Sequence, residues 1–289
     1  YQNNEAENDF GQSYNSSSDN FKSIQYGLSL LRQTGGSIGS WNWLSAYSVA
    51  DYALMNKYFV NVSLTGDATS RSGKDASGFF AYPSVAAAWL ISGEEFMKEA
   101  DRINMMKFRL SYGMSGNDEI GNYNGLRYYK TQNILGTFGL VRGNLVNTEL
   151  KPETVERFNA GIDMSVLDER LTFSLDVYSN KTKDMILASI PERMSGFDVS
   201  LNNAGSMRNT GFDFSMNTRI INKTFKWDLG WIVSGYKNKV LDLDGQTFES
   251  NILGATIQTK EGQALGQFYG YKTNGVYSTQ ADADADKLY

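Results

Sequence analysis

Two adjacent acidic pairs, Glu94-Glu95 and Asp118-Glu119, raise the first question of chemistry, because two carboxylates can share acid and base duties in glycoside hydrolysis. Both pairs fall where the chain turns, and neighbours in sequence point apart. A shared cleft between two carboxylates is not what this spacing describes. The chain holds no His and no Cys. That removes Ser-His-Asp and Cys-His nucleophiles, the commonest metal ligand and any disulfide framework. Asp242-Leu243-Asp244-Gly245 has the opening rhythm of a calcium loop, but the later ligand positions do not follow. The ADADADK run at 281–287 reads as a solvated acidic stretch, and Asn-x-Ser/Thr at Asn61 and Asn180 as a chance match. The expectation is no catalytic residue, no metal site and no cofactor.

The elements that would carry any site are strands. The composition combines 28 Gly, 17 Tyr, 16 Phe and 5 Trp with only 3 Pro, which favours strands and turns over helices. Lys and Arg are scattered and the formal net charge is −5, so no basic stripe offers itself to nucleic acid. No apolar run reaches the roughly 18 residues of a membrane-crossing helix. A barrel strand needs only about 9–11 alternating residues, so the membrane stays open as a destination.

From residue 44 the alternation is regular. Leu44, Ala46, Ala50, Tyr52 and Leu54 share a face, and after a turn at 55–57 so do Tyr58, Val60, Val62 and Leu64. The pattern returns in Val85–Ile91, Phe108–Met114, Phe158–Val166, Leu171–Val177, Phe212–Ile220 and Phe225–Val233, making about eight strands. The connections at 55–57, 167–169 and 221–224 are tight and that at 92–105 is moderate. The connections on the other side, at 68–79, 115–153, 181–204 and from 238 onward, are long. Short turns on one side and long loops on the other are the habit of outer-membrane barrels. Aromatics gather at both ends of the strands: Tyr52, Tyr58, Trp89 and Trp227 near the short turns, Tyr112, Phe158 and Phe212 near the long loops. Pattern alone leaves two readings, a membrane barrel and a soluble carbohydrate-binding β-sandwich whose apolar face is a dry core.

Five ordered stretches add a resemblance. NKYFVNVSLTGDATSRSGKDASGFFAYPSVAAAWLISGEEFM (56–97), MKFRLSYGMSGNDEIGNY (106–123) and NTELKPETVERFNAGIDMSVLDERLTFSLDVYSNKTKDMI (147–186) are three of them. NAGSMRNTGFDFSMNTRII (203–221) and GQALGQFYGYKTNGVY, ending at Tyr277, complete the set. In this order they resemble the SusC/RagA-type TonB-dependent transporters of Bacteroidetes outer membranes. Leu90 and Val49 stand where that family commonly has a basic residue, without disturbing the alternation.

The resemblance implies an all-β fold, a transmembrane antiparallel β-barrel of 22 strands of which this chain supplies part. Residues 1–289 would all belong to the barrel domain: 1–40 mostly outer loop, 41–237 regular strands, 238–289 outer loop and a further strand. The plug, TonB box and N-terminal domain would lie outside the chain. The implied activity is TonB-dependent import of a large nutrient, a glycan or alternatively a peptide, across the outer membrane. The implied partners are a SusD-like lipoprotein, TonB acting through the plug, and outer-membrane lipid. In that frame Phe173, Leu175, Val177, Phe214, Trp227 and Leu229 are expected to face lipid. Arg157, Asp163, Asp176, Asp213 and Arg219 are expected to face a wet lumen, where such residues pair across strands or touch cargo or plug. Asp118, Tyr123, Tyr128 and Tyr129, in the longest outer loop, are the candidates for contact with cargo or lid, since Tyr and Asp suit sugar rings. The alternative, which carries the greater weight, is that these residues pack the loop on itself or on the lid.

Overall fold

The computed structural model of this chain describes residues 1–280, apart from 16–17, 19, 21–22, 29–30, 135–136, 190, 198, 274 and 277–279; the ADADADK run lies outside the described residues. Fourteen strands follow one another: β1 (Gln2–Gln12), β2 (Gln33–Leu54), β3 (Tyr58–Thr69), β4 (Phe80–Leu90), β5 (Ile103–Asn117), β6 (Tyr129–Ile134), β7 (Thr137–Arg142), β8 (Glu153–Val166), β9 (Leu171–Ser189), β10 (Ser200–Asn222), β11 (Lys226–Asp242), β12 (Phe248–Ile252), β13 (Ala255–Thr259) and β14 (Gln267–Tyr269). Nine of them form one antiparallel sheet in the order β1-β2-β3-β4-β5-β8-β9-β10-β11. Every neighbour in space is thus a neighbour in sequence, except where β8 follows β5. The β6–β7 hairpin and the β12–β14 sheet are separate small units. Together they make a partial all-β barrel wall, antiparallel throughout. No helix among the described residues is long and apolar enough to cross a membrane, which leaves strands to do so.

Three boundaries differ from the sequence reading. The sheet has nine strands rather than about eight, because residues 1–40 are not mostly loop: β1 spans Gln2–Gln12 and β2 already begins at Gln33. QNNEAENDFGQ has polar residues on both faces, so it carries no two-residue hydrophobic period to read, yet its backbone pairs from Gln2↔Trp43 to Gln12↔Gln33. The loop read at 181–204 is likewise shorter. β9 runs to Ser189 and β10 begins at Ser200, so Asn180–Asp184 is strand and not the exit from the sheet. The segment after 238 also departs, since β11 continues to Asp242 before the small β12–β14 sheet forms.

The tight turns are built from left-handed backbone. Met55 and Asn56 have φ 55° and 54°, and Leu167, Asp168 and Glu169 have φ 59°, 58° and 60°. Three consecutive non-glycine residues in that region cost about 1–2 kcal/mol each in isolation. Here the turn is held from outside. Leu167 N donates to Arg102 O at 3.0 Å, Asn104 Oδ1 accepts from Glu169 N at 3.2 Å, and the Arg170 guanidinium donates to the carbonyls of Arg219 and Ile220.

Candidate functional site

Residues directly opposite in an antiparallel ladder share a face, so the register assigns every side chain. One lateral row reads Tyr58, Trp89, Phe108, Ile162, Leu175, Phe214, Val233, and the next reads Val60, Ala87, Leu110, Ala160, Val177, Phe212. Phe173 and Val177 lie on the same face, as do Leu229 and Trp227 further along β11. Nothing covers this face among the described residues. Leu175 keeps 37% of its surface, Val177 46% and Val233 47%.

The opposite face is polar and equally continuous. Ser63, Ser84, Gly113, Arg157, Asn180, Asn209 and Asn238 make one row. Arg109, Gly161, Asp176, Asp213 and Ser234 belong to another. Arg157, Asp163, Asp176, Asp213 and Arg219 therefore all lie on this face. They are not one site: Arg219 pairs with Asp228 at 2.9 Å near the short turns, well removed from the others along the strand.

The densest point is a residue the sequence reading passed over. Arg109 on β5 grips Asp163 on β8 with Nε at 2.7 Å and Nη2 at 2.9 Å. It reaches across to Asp176 on β9 with Nη1 and Nη2, both at 3.0 Å. Ser174 Oγ donates to Asp163 Oδ1 at 2.7 Å. A guanidinium has a planar fork of donors that suits two carboxylates at once. It can span three strands because Gly161 lies beneath it; a Cβ there would collide with both Arg109 and Asp176. Only the cross-strand register reveals this, since Arg109 and Asp176 are far apart in the chain. Beside Arg109 the polar face holds a groove of about 380 Å³ floored by Ala53, Ala86 and Ala88 and flanked by Phe59 and Asn159.

At the short-turn rim, Glu94 accepts hydrogen bonds from Tyr58 Oη at 2.7 Å, Trp89 Nε1 at 3.1 Å and Lys57 Nζ at 3.2 Å. The hydrogen bonds from Tyr58 above all, then Trp89 and Lys57, hold its carboxyl below the usual carboxylate range. Tyr58 and Trp89 stack at 6.4 Å with an interplanar angle of 14°. Glu95 turns instead to Lys98, 2.7 Å away, so the two members of this acidic pair serve different partners.

Above the long-loop ends, the connections 70–79, 118–128 and 143–152 pack into one layer around Leu150 and Ile120, 0% and 3% exposed. Gly73 N donates to Leu150 O and Asp75 N to Thr148 O, both at 2.8 Å. Arg71, also missed from the sequence, stacks 3.9 Å from the Trp41 ring centre and holds Asn122 Oδ1 at 3.2 Å. Of the four loop candidates, two are absorbed by this layer. Asp118 lies 3.7 Å from Arg71, and Tyr123 Oη accepts from Ser40 N at 3.0 Å and packs 6.2 Å from Tyr128. Tyr128 faces a cavity and Tyr129 is open to solvent. The layer is buttoned to β9 and β10 by Asn203, which exchanges hydrogen bonds with the Lys151 backbone at 2.9 and 2.8 Å and donates to Asp184 O at 2.8 Å. The calcium-like turn is filled from within: Asp242 Oδ1 accepts from Asp244 N, and Glu261 from Leu243 N and Gly245 N.

A family model described as "TonB dependent receptor-like, beta-barrel" matches residues 1–284. TonB-dependent receptor P3 of Formosa agariphila is 33% identical over 246 residues, covering 81% of this chain and 24% of the relative. TonB-dependent receptor SusC of Bacteroides thetaiotaomicron is 28% identical over 250 residues, covering 82% and 25%. A solved structure of the RagAB peptide transporter superposes with a TM-score of 0.79 at 25% identity, covering 92% of this chain and 30% of that one. The chain thus spans about a quarter of the length of the curated relatives it matches.

Proposed function

The chain belongs to the TonB-dependent receptor-like β-barrel family, and from that premise we propose that it builds part of the wall of an outer-membrane transporter. The transporter imports a large glycan together with a SusD-like surface lipoprotein. The uncovered apolar face, with Phe173, Leu175, Val177, Phe214, Trp227 and Leu229, meets lipid. The face with Arg157, Asp163, Asp176, Asp213 and Arg219 meets a hydrated lumen and the plug. TonB, energised from the inner membrane, pulls on the plug, and cargo held at the outer loops then has a path. No bond is made or broken in that cycle; the chain's part is shape, wetting and hydrogen bonding.

One observation carries the reading: the apolar row from Tyr58 to Val233 runs uninterrupted from β3 to β11 with no layer packed on it among the described residues, while the opposite face carries the Arg109 network. A bilayer is the solvent that suits the first face, and water the second. A soluble sandwich would need a second sheet against the apolar rows, and none of the described strands supplies it. A peptide cargo is the second reading, favoured by the likeness to the RagAB peptide transporter.

The test uses the full-length protein in its outer membrane. Uptake of a labelled oligosaccharide is expected to vanish when TonB is deleted and to fall when the neighbouring surface lipoprotein is deleted. Uptake of a labelled peptide alone would transfer the function to the second reading. Recovery of the chain as a detergent-free soluble monomer would overturn both.

A further inference from the structure

A cavity of about 910 Å³ lies in the outer loops, lined by Lys130, Val141 and Arg142 of the β6–β7 hairpin and by Ser195, Gly196 and Phe197. Its size is that of an ordinary small-molecule site. Its charge is unusual for this chain. The protein is acidic overall, at −5, yet the cavity is lined by Lys130 and Arg142 and, among the described residues, by no carboxylate. Neither cation has an ion-pair partner among the described residues. Unpaired cations are common in this chain, since among the described residues seven of its 27 Lys and Arg lie within 4 Å of a carboxylate; what marks the cavity is that two of them line it with no carboxylate beside them.

The rest of the lining suits rings and hydroxyls. Tyr128 and Phe197 offer aromatic faces. The Tyr128 ring is pinned over Gly143, where any Cβ would collide with it, and Gly143 N donates to Tyr128 O at 2.9 Å. Asn144 is fixed by its amide nitrogen, which donates to Leu126 O at 2.9 Å and Tyr123 O at 3.3 Å. Its Oδ1 is buried and has no partner among the described residues.

We infer that this cavity binds an acidic oligosaccharide, its carboxylate or sulfate groups meeting Lys130 and Arg142 and a sugar ring meeting Tyr128 or Phe197. The inference rests on the glycan-import reading above and narrows its cargo. An oligosaccharide is favoured over a peptide because the lining offers no anion for an amino terminus or a basic side chain. Guanidinium and ammonium groups bind such anions by charge-assisted hydrogen bonds, which salt weakens at an exposed site.

The experiment is calorimetric titration of the detergent-solubilised full-length protein with tetragalacturonate, with maltotetraose as the neutral sugar and tetraglutamate as the acidic peptide. Tetragalacturonate is expected to bind, to weaken as salt rises, and to lose about tenfold or more in affinity in the K130Q/R142Q double variant. Maltotetraose should bind about tenfold or more weaker than tetragalacturonate. Equal binding of the two sugars, no binding of either, or unchanged affinity in a double variant that still assembles would overturn the inference. Tetraglutamate binding with the same Lys130 and Arg142 dependence would overturn its glycan class. The comparison of sugars and salts on the unaltered protein keeps the test decisive even if the variant fails to assemble. TonB-dependent uptake of some other glycan by a protein whose cavity ignores tetragalacturonate would sink this inference and leave the transporter reading standing; absence of any TonB-dependent uptake would sink that reading itself.

Discussion

The same three strands, β9, β10 and β11, pass through two regions that solve the burial problem in opposite ways. In the wall their apolar side chains stay open, with Leu175 at 37% and Val177 at 46% exposure. At the outer tip Val240 and Leu243 are each 1% exposed and pack with Leu187, Met185, Ala204 and Phe248. The tip is an ordinary protein core, closed by its own residues through the hydrophobic effect. The wall has no such core. Its apolar rows are satisfied only by a solvent that is itself apolar, so the wall's fold is tied to a membrane and the tip's is not.

Charge on the apolar face should separate the regions most strongly. Leu175→Arg is expected to cost about 2–4 kcal/mol near a bilayer midplane and to abolish the heat-modifiable, assembled form on gels. Ser215→Arg, one residue further along a paired strand but on the polar face, should assemble normally; equal loss in both would break the assignment of faces. Truncation at the tip should act locally. Leu243→Ala is expected to cost about 2–5 kcal/mol and to open 243–269 to protease while assembly proceeds. If that variant fails to assemble, the tip is not the self-contained unit described.

Weaker effects lie in the polar contacts. Arg109→Gln leaves Asp163 and Asp176 facing each other without their shared cation. Because all three side chains keep 22–32% exposure, the loss should be about 1 kcal/mol, read as a lower midpoint of urea unfolding in detergent. At the rim, the Glu94 carboxyl is held below 4.5, glutamate's ordinary value, so the hydrogen bonds from Tyr58 and Trp89 stabilise the folded rim at neutral pH. That contribution is present above 4.5 and disappears as pH falls through the lowered value. Trp89 emission should shift only below pH 4.5, and the shift should be absent in Glu94→Gln.

What the sequence disclosed follows the same division. Where one face is apolar, the two-residue period located strands and turns without the structure, down to the Leu167-Asp168-Glu169 reversal. Where both faces are polar, as along Gln2–Gln12 and Asn180–Asp184, no period existed and the strands went unread, although Gln2–Gln12 pairs without a break and Asn180–Asp184 pairs up to an irregularity at Asp184. The Arg109, Arg71 and Asn203 nodes were hidden for another reason. Each joins segments far apart in the chain, and a hydrogen-bond partner that only the register supplies leaves no mark on local composition. Of the loop candidates, Asp118 and Tyr123 proved to be tied into the loop layer, while Tyr128 lines the cavity that Lys130 and Arg142 make electropositive.

The strand order has a kinetic meaning. A sheet whose neighbours in space are neighbours in sequence can be laid down hairpin by hairpin, each new strand finding its partner after a short search. The wall breaks that rule once, between β5 and β8, where residues 118–152 must be looped out before pairing resumes. That step carries the largest closure entropy in the sheet, and the chain places Ile120 and Leu150, two of its most buried side chains, at either end of the detour. The backbone bonds from Gly73 to Leu150 and from Asp75 to Thr148 draw the end of the detour back to the first half of the wall, where β8 can pair with β5 and the second half can grow.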